Sequence, residues 1–460
     1  MLEVEYRWRN MKNASTALVG TFPPTQCGLA TFTRSSATAL SQNRKVGVVE
    51  LVDAPRENLA SMVSASWVRG NRRSMLDAIA TLETFDAVII EHEFGIFGGR
   101  DGDEVLDLVA AIRTPIITVL HTVLERPSDH QRFVIEELAR RSDAVVTLTE
   151  TARRRLLRTV YVEPSKLVVI PHGAHEVHHK HLKNSCSGSP FRAPEQLEVT
   201  RIPNFSAPLS ARVPFSFPKP AEVPINGPVA NGFATVRRPP TDTSKSEEPP
   251  VVLTWGLLGP GKGIENAIDA IALLRDMDRP PQYWIVGETH PKVRETSGED
   301  YRESLVRRAR DAGVSRLVKF YDGYRDLSAL HALVIQANLV VLPYESREQV
   351  TSGVLVEAIA AGLPVVATDF PHASELLSQG CGVVVPHDDT AALARAIREV
   401  LTNDPLRSRL EATARRIAPS LYWPAVGRSF GALVDRCVAS RAAGAALADQ
   451  HDAYDASLVS

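Results

Sequence analysis

Cysteine is scarce in this chain of 460 residues, and its four cysteines are widely separated with no C-x-x-C pair. This distribution argues against a disulfide framework and against a zinc site. No apolar run approaches the roughly 20 residues of a bilayer-spanning helix. The first residues, MLEVEYRWRNMKN, carry charges where a secretory signal has its apolar core. We therefore expect a reduced, cytoplasmic protein without a transmembrane segment.

An excess of either charge is also missing, because 52 Lys and Arg residues balance 54 Asp and Glu residues to a net charge of −2. No basic stripe with interleaved aromatic residues is present, so the sequence gives no reason to expect a nucleic-acid partner. The hydrophobic fraction of 44% and the charged fraction of 23% are ordinary for a soluble globular protein.

The first 173 residues alternate short apolar runs with helical stretches. Most of these runs are apolar throughout, as strands covered on both faces require, and the alternation predicts a parallel sheet with crossover helices. The predicted strands are 17–20, 46–51, 87–91, 115–120, 144–148 and 167–170, and the predicted helices are 29–40, 103–112, 129–140 and 149–158.

The same rhythm resumes at residue 251, and a second α/β sheet follows. The predicted strands are 251–255, 283–286, 318–320, 339–342, 365–367 and 383–385, and the predicted helices are 264–274, 301–312, 327–336, 354–361, 374–377 and 391–402. Residues 406–447 look helical, with interruptions at Pro419 and Pro424 and a frayed polar tail beyond them.

Between the two regions, residues 190–250 contain 13 prolines and almost no periodicity. Such a segment buries too little apolar area to offset its ordering entropy, so we predict a disordered insertion. The expected organisation is an N-terminal Rossmann-like domain (1–180), the insertion (181–250), a second Rossmann-like domain (251–420), and a C-terminal helical segment with its tail (421–460).

Two turns between strand and helix carry residues suited to anion binding. The first runs from Gly256 to Gly263 and includes Lys262, so glycine backbone, a helix N-terminus and a cation come together. Neither G-x-x-x-x-G-K-[ST] nor G-x-G-x-x-G is present, and a tight turn with a solvated lysine explains the same residues equally well. The second turn, QVTSGVLVEA from Gln349, offers an N-cap and small residues. Its Glu357 lies mid-helix, either at a solvent edge or facing ligand hydroxyls.

Polar residues also follow strands of the first region. The turn at Gly28, His121 after the strand 115–120, and His172 after the strand 167–170 share the sheet edge at which open α/β sheets bind ligands. A histidine at such a position is more often a loop hydrogen-bonding group than a catalyst.

The sequence gives weaker support for a metal site or a catalytic nucleophile than for an anion-binding site. In Glu91-His92-Glu93, successive strand residues point to opposite faces and cannot converge on one ion. The histidines at 172, 175, 178, 179 and 181 are compatible with adventitious metal binding only. No G-x-S-x-G nucleophile elbow is present.

Taken together, these segments resemble the retaining glycosyltransferases of family 4, which have the GT-B architecture of two Rossmann-like domains facing across a cleft. The resemblance rests on the Gly256–Gly263 turn, on QVTSGVLVEAIAAG from Gln349, on EHEFGIFGG from Glu91, and on Pro171-His172-Gly173. It is nearest to a bacterial group of mannosyl- and glucosyltransferases.

The resemblance implies roles for particular residues. Lys262, with backbone N–H groups near Ser352 and Gly353, would hold the donor diphosphate, and Glu357 would bind the nucleotide ribose hydroxyls. Gly28 would let the first loop approach the phosphates or the acceptor. Catalytic roles would fall to His121 near the transferred sugar, to Lys262 and to Gln349. Tyr422-Trp423-Pro424 resembles the crossover of the last helix.

Two departures from the family pattern stand out. Gln349 replaces the first glutamate of the family's pair, and Leu257 replaces the usual arginine beside the diphosphate lysine. An amide still hydrogen-bonds hydroxyls but carries no charge.

The implied activity is metal-independent retaining transfer of a hexose, mannose or glucose, because backbone donors, a helix N-terminus and Lys262 can stabilise the leaving diphosphate without a metal. In this reading, residues 1–180 would form the acceptor-side domain, residues 251–420 the nucleotide-sugar-binding domain, and residues 421–460 the crossover helix with its tail. The substrates would be a nucleotide-sugar donor and a sugar or glycolipid acceptor, with peripheral membrane contact allowed and no separate cofactor. A nucleotide-sugar epimerase and a degenerate, non-catalytic nucleotide-sugar-binding protein remain alternatives.

Overall fold

The computed structural model describes residues 13–56, 58–177, 248–323 and 327–458, with side chains as far as 444. The predicted insertion 181–250 lies almost entirely outside these residues. No helix in the described ranges is long and apolar enough to cross a membrane.

The first sheet has seven parallel strands in the order β3-β2-β1-β4-β5-β6-β7. Buried β-branched side chains dominate its central strands. The strands are β1 Thr16–Gly20, β2 Val46–Val52, β3 Val63–Val68, β4 Ala87–His92, β5 Ile116–Leu120, β6 Ala144–Thr147 and β7 Leu167–Val169, and the helices between them are Gly28–Leu40, Arg72–Leu82, Glu104–Ala111, Asp129–Arg141 and Glu150–Thr159.

The second sheet has six parallel strands in the order β10-β9-β8-β11-β12-β13. Its strands are β8 Val251–Trp255, β9 Gln282–Val286, β10 Val318–Tyr321, β11 Leu339–Leu342, β12 Val365–Thr368 and β13 Gly382–Val385, and its helices are Ile264–Ala272, Pro291–Ser297, Asp300–Asp311, Leu327–Gln336, Gly353–Ala360, Pro371–Leu377, Thr390–Thr402, Asp404–Leu421 and Trp423–Leu458. The predicted α/β class with two doubly wound sheets is confirmed.

Three elements escaped the sequence analysis: the edge strand β3, the helix Arg72–Leu82 and the short helix Pro291–Ser297. The C-terminal region also differs from expectation, because its helical run breaks once, at the extended residue Tyr422. Pro419 lies inside the preceding helix near its end, where only one backbone hydrogen bond is lost. Pro424 lies in the first turn of the last helix, which continues to Leu458.

Each sheet has one position at which the strand order reverses direction. In the first sheet this switch lies between β1 and β4, and in the second it lies between β8 and β11. Loops leaving neighbouring strands at a switch point diverge to opposite faces of the sheet and leave a crevice, which is where open α/β sheets bind ligands. The turns at Gly28 and Gly256–Gly263 leave β1 and β8, and the loop containing Gln349 leaves β11.

The last helix, Trp423–Leu458, returns to the first sheet. Its Trp423, Phe430 and Val434 share a core with Leu18 and Phe32 of the first half. Tyr422 makes a parallel bridge with Ala174 at the crossing point. An ion pair of 3.1 Å between Arg44 and Asp435 ties the helix down further along. The C-terminal residues therefore complete the core of the N-terminal half.

Candidate functional site

The Gly256–Gly263 turn positions Lys262 beside the end of β11. Gly263 has a φ of 64°, and a Cβ there would lie 1.8 Å from the carbonyl oxygen of Pro343, so glycine is required. The Nζ atom of Lys262 lies 4.6 Å from the ring centroid of Tyr344. Burial lowers the pKa of Lys262, and no carboxylate in the described ranges forms an ion pair with it. The ammonium group is thus desolvated without a counter-charge, as an anion-binding cation needs to be.

The helix Gly353–Ala360 begins at the same strand end. Ser352 is its N-cap and accepts a hydrogen bond of 3.3 Å from the backbone N–H of Leu355. The backbone N–H of Ser352 donates to Nδ1 of His372 at 2.8 Å. Burial lowers the pKa of His372 to about 3, which keeps that nitrogen an acceptor. Within the described ranges, the N–H groups of Gly353 and Val354 have no hydrogen-bond acceptor, so they are available to an anion.

Glu357 lies one turn further along this helix, and its carboxylate meets a residue of the first half. The imidazole Nδ1 of His175 donates to Oε1 at 2.9 Å, and the backbone N–H of His175 approaches both carboxylate oxygens at 3.3 Å. The Glu357 side chain remains 21% exposed. It is therefore anchored on one side and accessible to ligand hydroxyls on the other.

On the first sheet, His121 follows β5 and pairs with Glu91 at the end of β4. The Nε2 atom of His121 lies 2.8 Å from Oε2 of Glu91, which is fully buried. Phe32 packs edge-on against the His121 ring at 4.6 Å and against His172 at 5.0 Å. These contacts fix the ring planes of both histidines at the carboxyl edge of the sheet.

The carboxyl ends of the two sheets meet through specific polar contacts. The Arg155 guanidinium donates to the carbonyl and the carboxylate of Glu348, at 3.0 and 2.9 Å. Thr149 donates its hydroxyl to the carbonyl of Val350 at 3.1 Å. Glu375 accepts hydrogen bonds from the first two N–H groups of the helix Glu150–Thr159. A carboxylate from one half therefore caps a helix of the other half.

The predicted site residues fall into two groups. Lys262, Ser352, Gly353 and Glu357 gather at the switch point of the second sheet, where Tyr344 lies between the lysine and the Ser352 cap. Gln349 lies in the loop that precedes Ser352 and so belongs with this group, whereas Gly28 and His121 belong to the first sheet.

His172 contacts residues of both halves. Its ring packs on Phe32, and a Cβ on Gly353 would lie 2.9 Å from its Nε2 atom. The position of Gly28 is exposed, with open space where a Cβ would lie.

Gln349 is predicted to be catalytic, and its side chain is held by its own loop. The Nε2 atom donates to the carbonyl of Thr351 at 3.0 Å, while the Gln349 backbone carbonyl accepts from His372 at 3.3 Å. The amide oxygen is the part of the side chain that remains to meet a hydroxyl.

Several residues of the site were not singled out in the sequence. Glu91 entered as a weak metal candidate and as part of the EHEFGIFGG motif, and His175 only as a weak metal candidate, whereas here they orient His121 and Glu357. His372 and Tyr344 were not considered as site residues. Their only sequence signal is a polar group beside a strand end, and their partners are distant in sequence. No cluster of His, Cys, Asp or Glu in the described part of the chain is arranged to hold a metal ion.

Each half of the chain matches the sequence model of a known family. The sequence model described as Glycosyltransferase Family 4 matches residues 28–176, and the model described as Glycosyl transferases group 1 matches residues 239–417. Together the two matches cover well over half of the chain.

Individual relatives are similar over part of their length. The lipopolysaccharide core biosynthesis glycosyltransferase LpsE of Rhizobium meliloti is 30% identical over 187 residues, which are 40% of this chain and 49% of that protein. The D-inositol 3-phosphate glycosyltransferase of Jonesia denitrificans is 30% identical over 190 residues, 40% of this chain and 43% of the relative. The chain thus spans less than half the length of these curated relatives.

Solved structures share the fold across the chain. The crystal structure of Anabaena Alr3699/HepE with UDP and glucose has a TM-score of 0.62 at 15% identity, covering 92% of this chain and 99% of that one. Sucrose-phosphate synthase from Thermosynechococcus elongatus has a TM-score of 0.63 at 16% identity, covering 93% and 100%. With both halves matched by glycosyltransferase models on this fold, the chain belongs to the family 4 glycosyltransferases of GT-B architecture.

Proposed function

We propose that the protein transfers a hexose, mannose or glucose, from a nucleotide-sugar to a hydroxyl of a sugar or glycolipid acceptor, with retention of configuration and without a metal ion. One observation carries the proposal. Among the residues that the structure describes, a desolvated cation without an ion-pair partner, open helix N–H groups and an accessible carboxylate converge at the switch point of the second sheet, beside the carboxyl edge of the first.

The chemistry follows from the charge on the leaving group. When the bond from sugar to diphosphate breaks, negative charge develops on the phosphate oxygens, and preorganised donors lower the barrier. Lys262 and the N–H groups of Gly353 and Val354 would supply that stabilisation. Glu357 would accept hydrogen bonds from the ribose hydroxyls and so place the diphosphate against these donors.

The first half would hold the acceptor and the transferred sugar. His121, fixed by Glu91 and Phe32, presents an imidazole at the strand edge that meets the second half. The relatives support these substrate classes: Alr3699/HepE binds UDP and glucose, and LpsE acts in lipopolysaccharide core biosynthesis.

The test is incubation of the full chain with UDP- and GDP-activated glucose and mannose, with and without sugar and glycolipid acceptors. Acceptor-dependent product with the anomeric configuration of the donor is expected, and activity should survive EDTA. Isomerised donor without acceptor would indicate an epimerase, and binding without turnover a non-catalytic protein. Loss of activity in EDTA that magnesium or manganese restores would refute metal independence.

The altered glutamate pair gives a second test. Glu357→Ala should weaken binding of the bare nucleotide diphosphate by about 10- to 100-fold, because hydrogen bonds to a charged group contribute roughly 1.5–3 kcal/mol. Gln349→Ala should leave nucleotide binding nearly unchanged but reduce transfer and discrimination among donor sugars. Equal damage to nucleotide binding by both changes would contradict the division of roles.

A further inference from the structure

A chain of three side chains crosses between the halves at Glu357. His175 lies in the segment that follows β7, and its Nε2 atom is 3.2 Å from the hydroxyl of Ser35. Its Nδ1 atom is 2.9 Å from Oε1 of Glu357. Ser35 is 5% exposed and belongs to the helix Gly28–Leu40 of the first sheet. His175 is thus held on both ring nitrogens by partners from different halves.

The chemistry of Glu357 fixes the direction of its hydrogen bond with His175. An ionised carboxylate only accepts, so Nδ1 of His175 carries a proton and donates to Glu357. In the neutral imidazole, Nε2 is then an acceptor, and the Ser35 hydroxyl donates to it. The contact with Glu357 therefore determines which ring nitrogen carries the proton.

We propose that His175 is a positioning residue for the donor nucleotide, acting through Glu357; this inference rests on the proposed function. Two donors of His175, the ring N–H and the backbone N–H, fix the carboxylate in one orientation. A carboxylate offers about four lone-pair directions, so acceptor capacity remains for ribose hydroxyls on its exposed side. A carboxylate held in place loses less freedom when the nucleotide binds.

The proposal predicts that Asn and Gln at position 175 affect nucleotide binding differently, because the two amide side chains differ in length. Asn places an amide N–H near the Nδ1 position and keeps the donor to Glu357. Gln reaches further, toward the Ser35 side, and loses that donor. Nucleotide affinity should therefore fall about 5- to 20-fold in His175→Gln and His175→Ala but stay within about threefold of the parent in His175→Asn. Ser35→Ala should cost about two- to threefold.

Calorimetric titration of the full chain with UDP and with GDP tests this, using whichever nucleotide the unaltered protein binds. The double variant His175→Ala, Glu357→Ala should bind no more weakly than Glu357→Ala alone, because a residue that acts through Glu357 has no effect once Glu357 is absent. The contrast between Asn and Gln remains informative if His175→Ala does not fold.

Three results would overturn the inference: His175→Gln binding like the parent, Asn and Gln weakening binding equally, or the His175 and Glu357 losses adding in full. In all three cases the proposed function still stands if the unaltered protein binds UDP or GDP. If the unaltered protein binds neither nucleotide, the proposed function and this inference fail together.

Discussion

Replacing Lys262 with methionine tests whether this residue serves nucleotide binding or the stability of the fold. Lys262 is half-buried, burial lowers its pKa, and its described surroundings offer an aromatic ring rather than a carboxylate. Methionine is one heavy atom shorter than lysine; it keeps an unbranched apolar stem and removes the charge. The folded state then loses a cation–π contact of about 0.5–1 kcal/mol but no longer holds a desolvated charge. The net change in the free energy of unfolding should be under about 1 kcal/mol.

Nucleotide binding should respond very differently. A charge-assisted hydrogen bond to a phosphate contributes roughly 1.5–3 kcal/mol, so the variant should bind nucleotide diphosphate about 10- to 150-fold more weakly. Affinity of the parent should also decline in the alkaline range, beginning below pH 10.5, because the lowered pKa of Lys262 releases its proton earlier than in a free lysine. The variant should lack that decline.

The assay is calorimetric titration with nucleotide diphosphate over a range of pH, beside urea unfolding of the same samples. Lys319→Met is the matched control, since Lys319 is an exposed lysine on the edge strand β10. The control should bind like the parent. The reasoning fails if Lys262→Met binds normally, or if it unfolds several kcal/mol more easily than the control, which would make Lys262 a structural residue.

Three further outcomes are expected. Burial lowers the pKa of His92 to about 3, so between about pH 6.5 and 3 the unfolded chain binds a proton that the folded chain does not, and stability falls as the pH is lowered through that range. Urea unfolding at several pH values should show that His92→Leu flattens this dependence by up to about 1.4 kcal/mol per pH unit. Gly263→Ala should destabilise well beyond Gly261→Ala in urea, because both have positive φ but only the Gly263 Cβ meets the backbone at Pro343. Glu375→Gln should lower the free energy of unfolding by about 1–2 kcal/mol, since its carboxylate caps a helix of the other half.

Much of the fold was predictable because local pattern and tertiary environment agree. The strand Leu339–Leu342 is apolar throughout and Val251–Trp255 is apolar except for the buried Thr254, as the centre of a parallel sheet demands, and both lie at the predicted residues. The strand Val63–Val68 was missed because it is an edge strand whose two serines weaken the apolar signal. Pro419 misled the helix prediction because the cost of a proline depends on its distance from the helix end.

The sequence predicts residues of the candidate site but not the residues that orient them. Turns after strands identify Lys262 and Glu357, since chain order places them at one sheet edge. The residues that orient the site are separated from their targets in sequence: His175 and Glu357 are 182 positions apart. No local pattern encodes such a pair, and His175, which looked like an incidental metal ligand, is a hydrogen-bond donor within a tertiary arrangement.

The return of the last helix to the first sheet has a consequence for biosynthesis. The surface of the N-terminal half around Phe32 and Leu40 is covered by Trp423, Phe430 and Val434, which leave the ribosome only after the whole second sheet has been made. Until then this apolar surface is uncovered, and folding of the first half cannot finish in the order of translation. A fragment ending before Trp423 would carry the same uncovered surface and should require the missing helix, added as a separate peptide, to become monomeric.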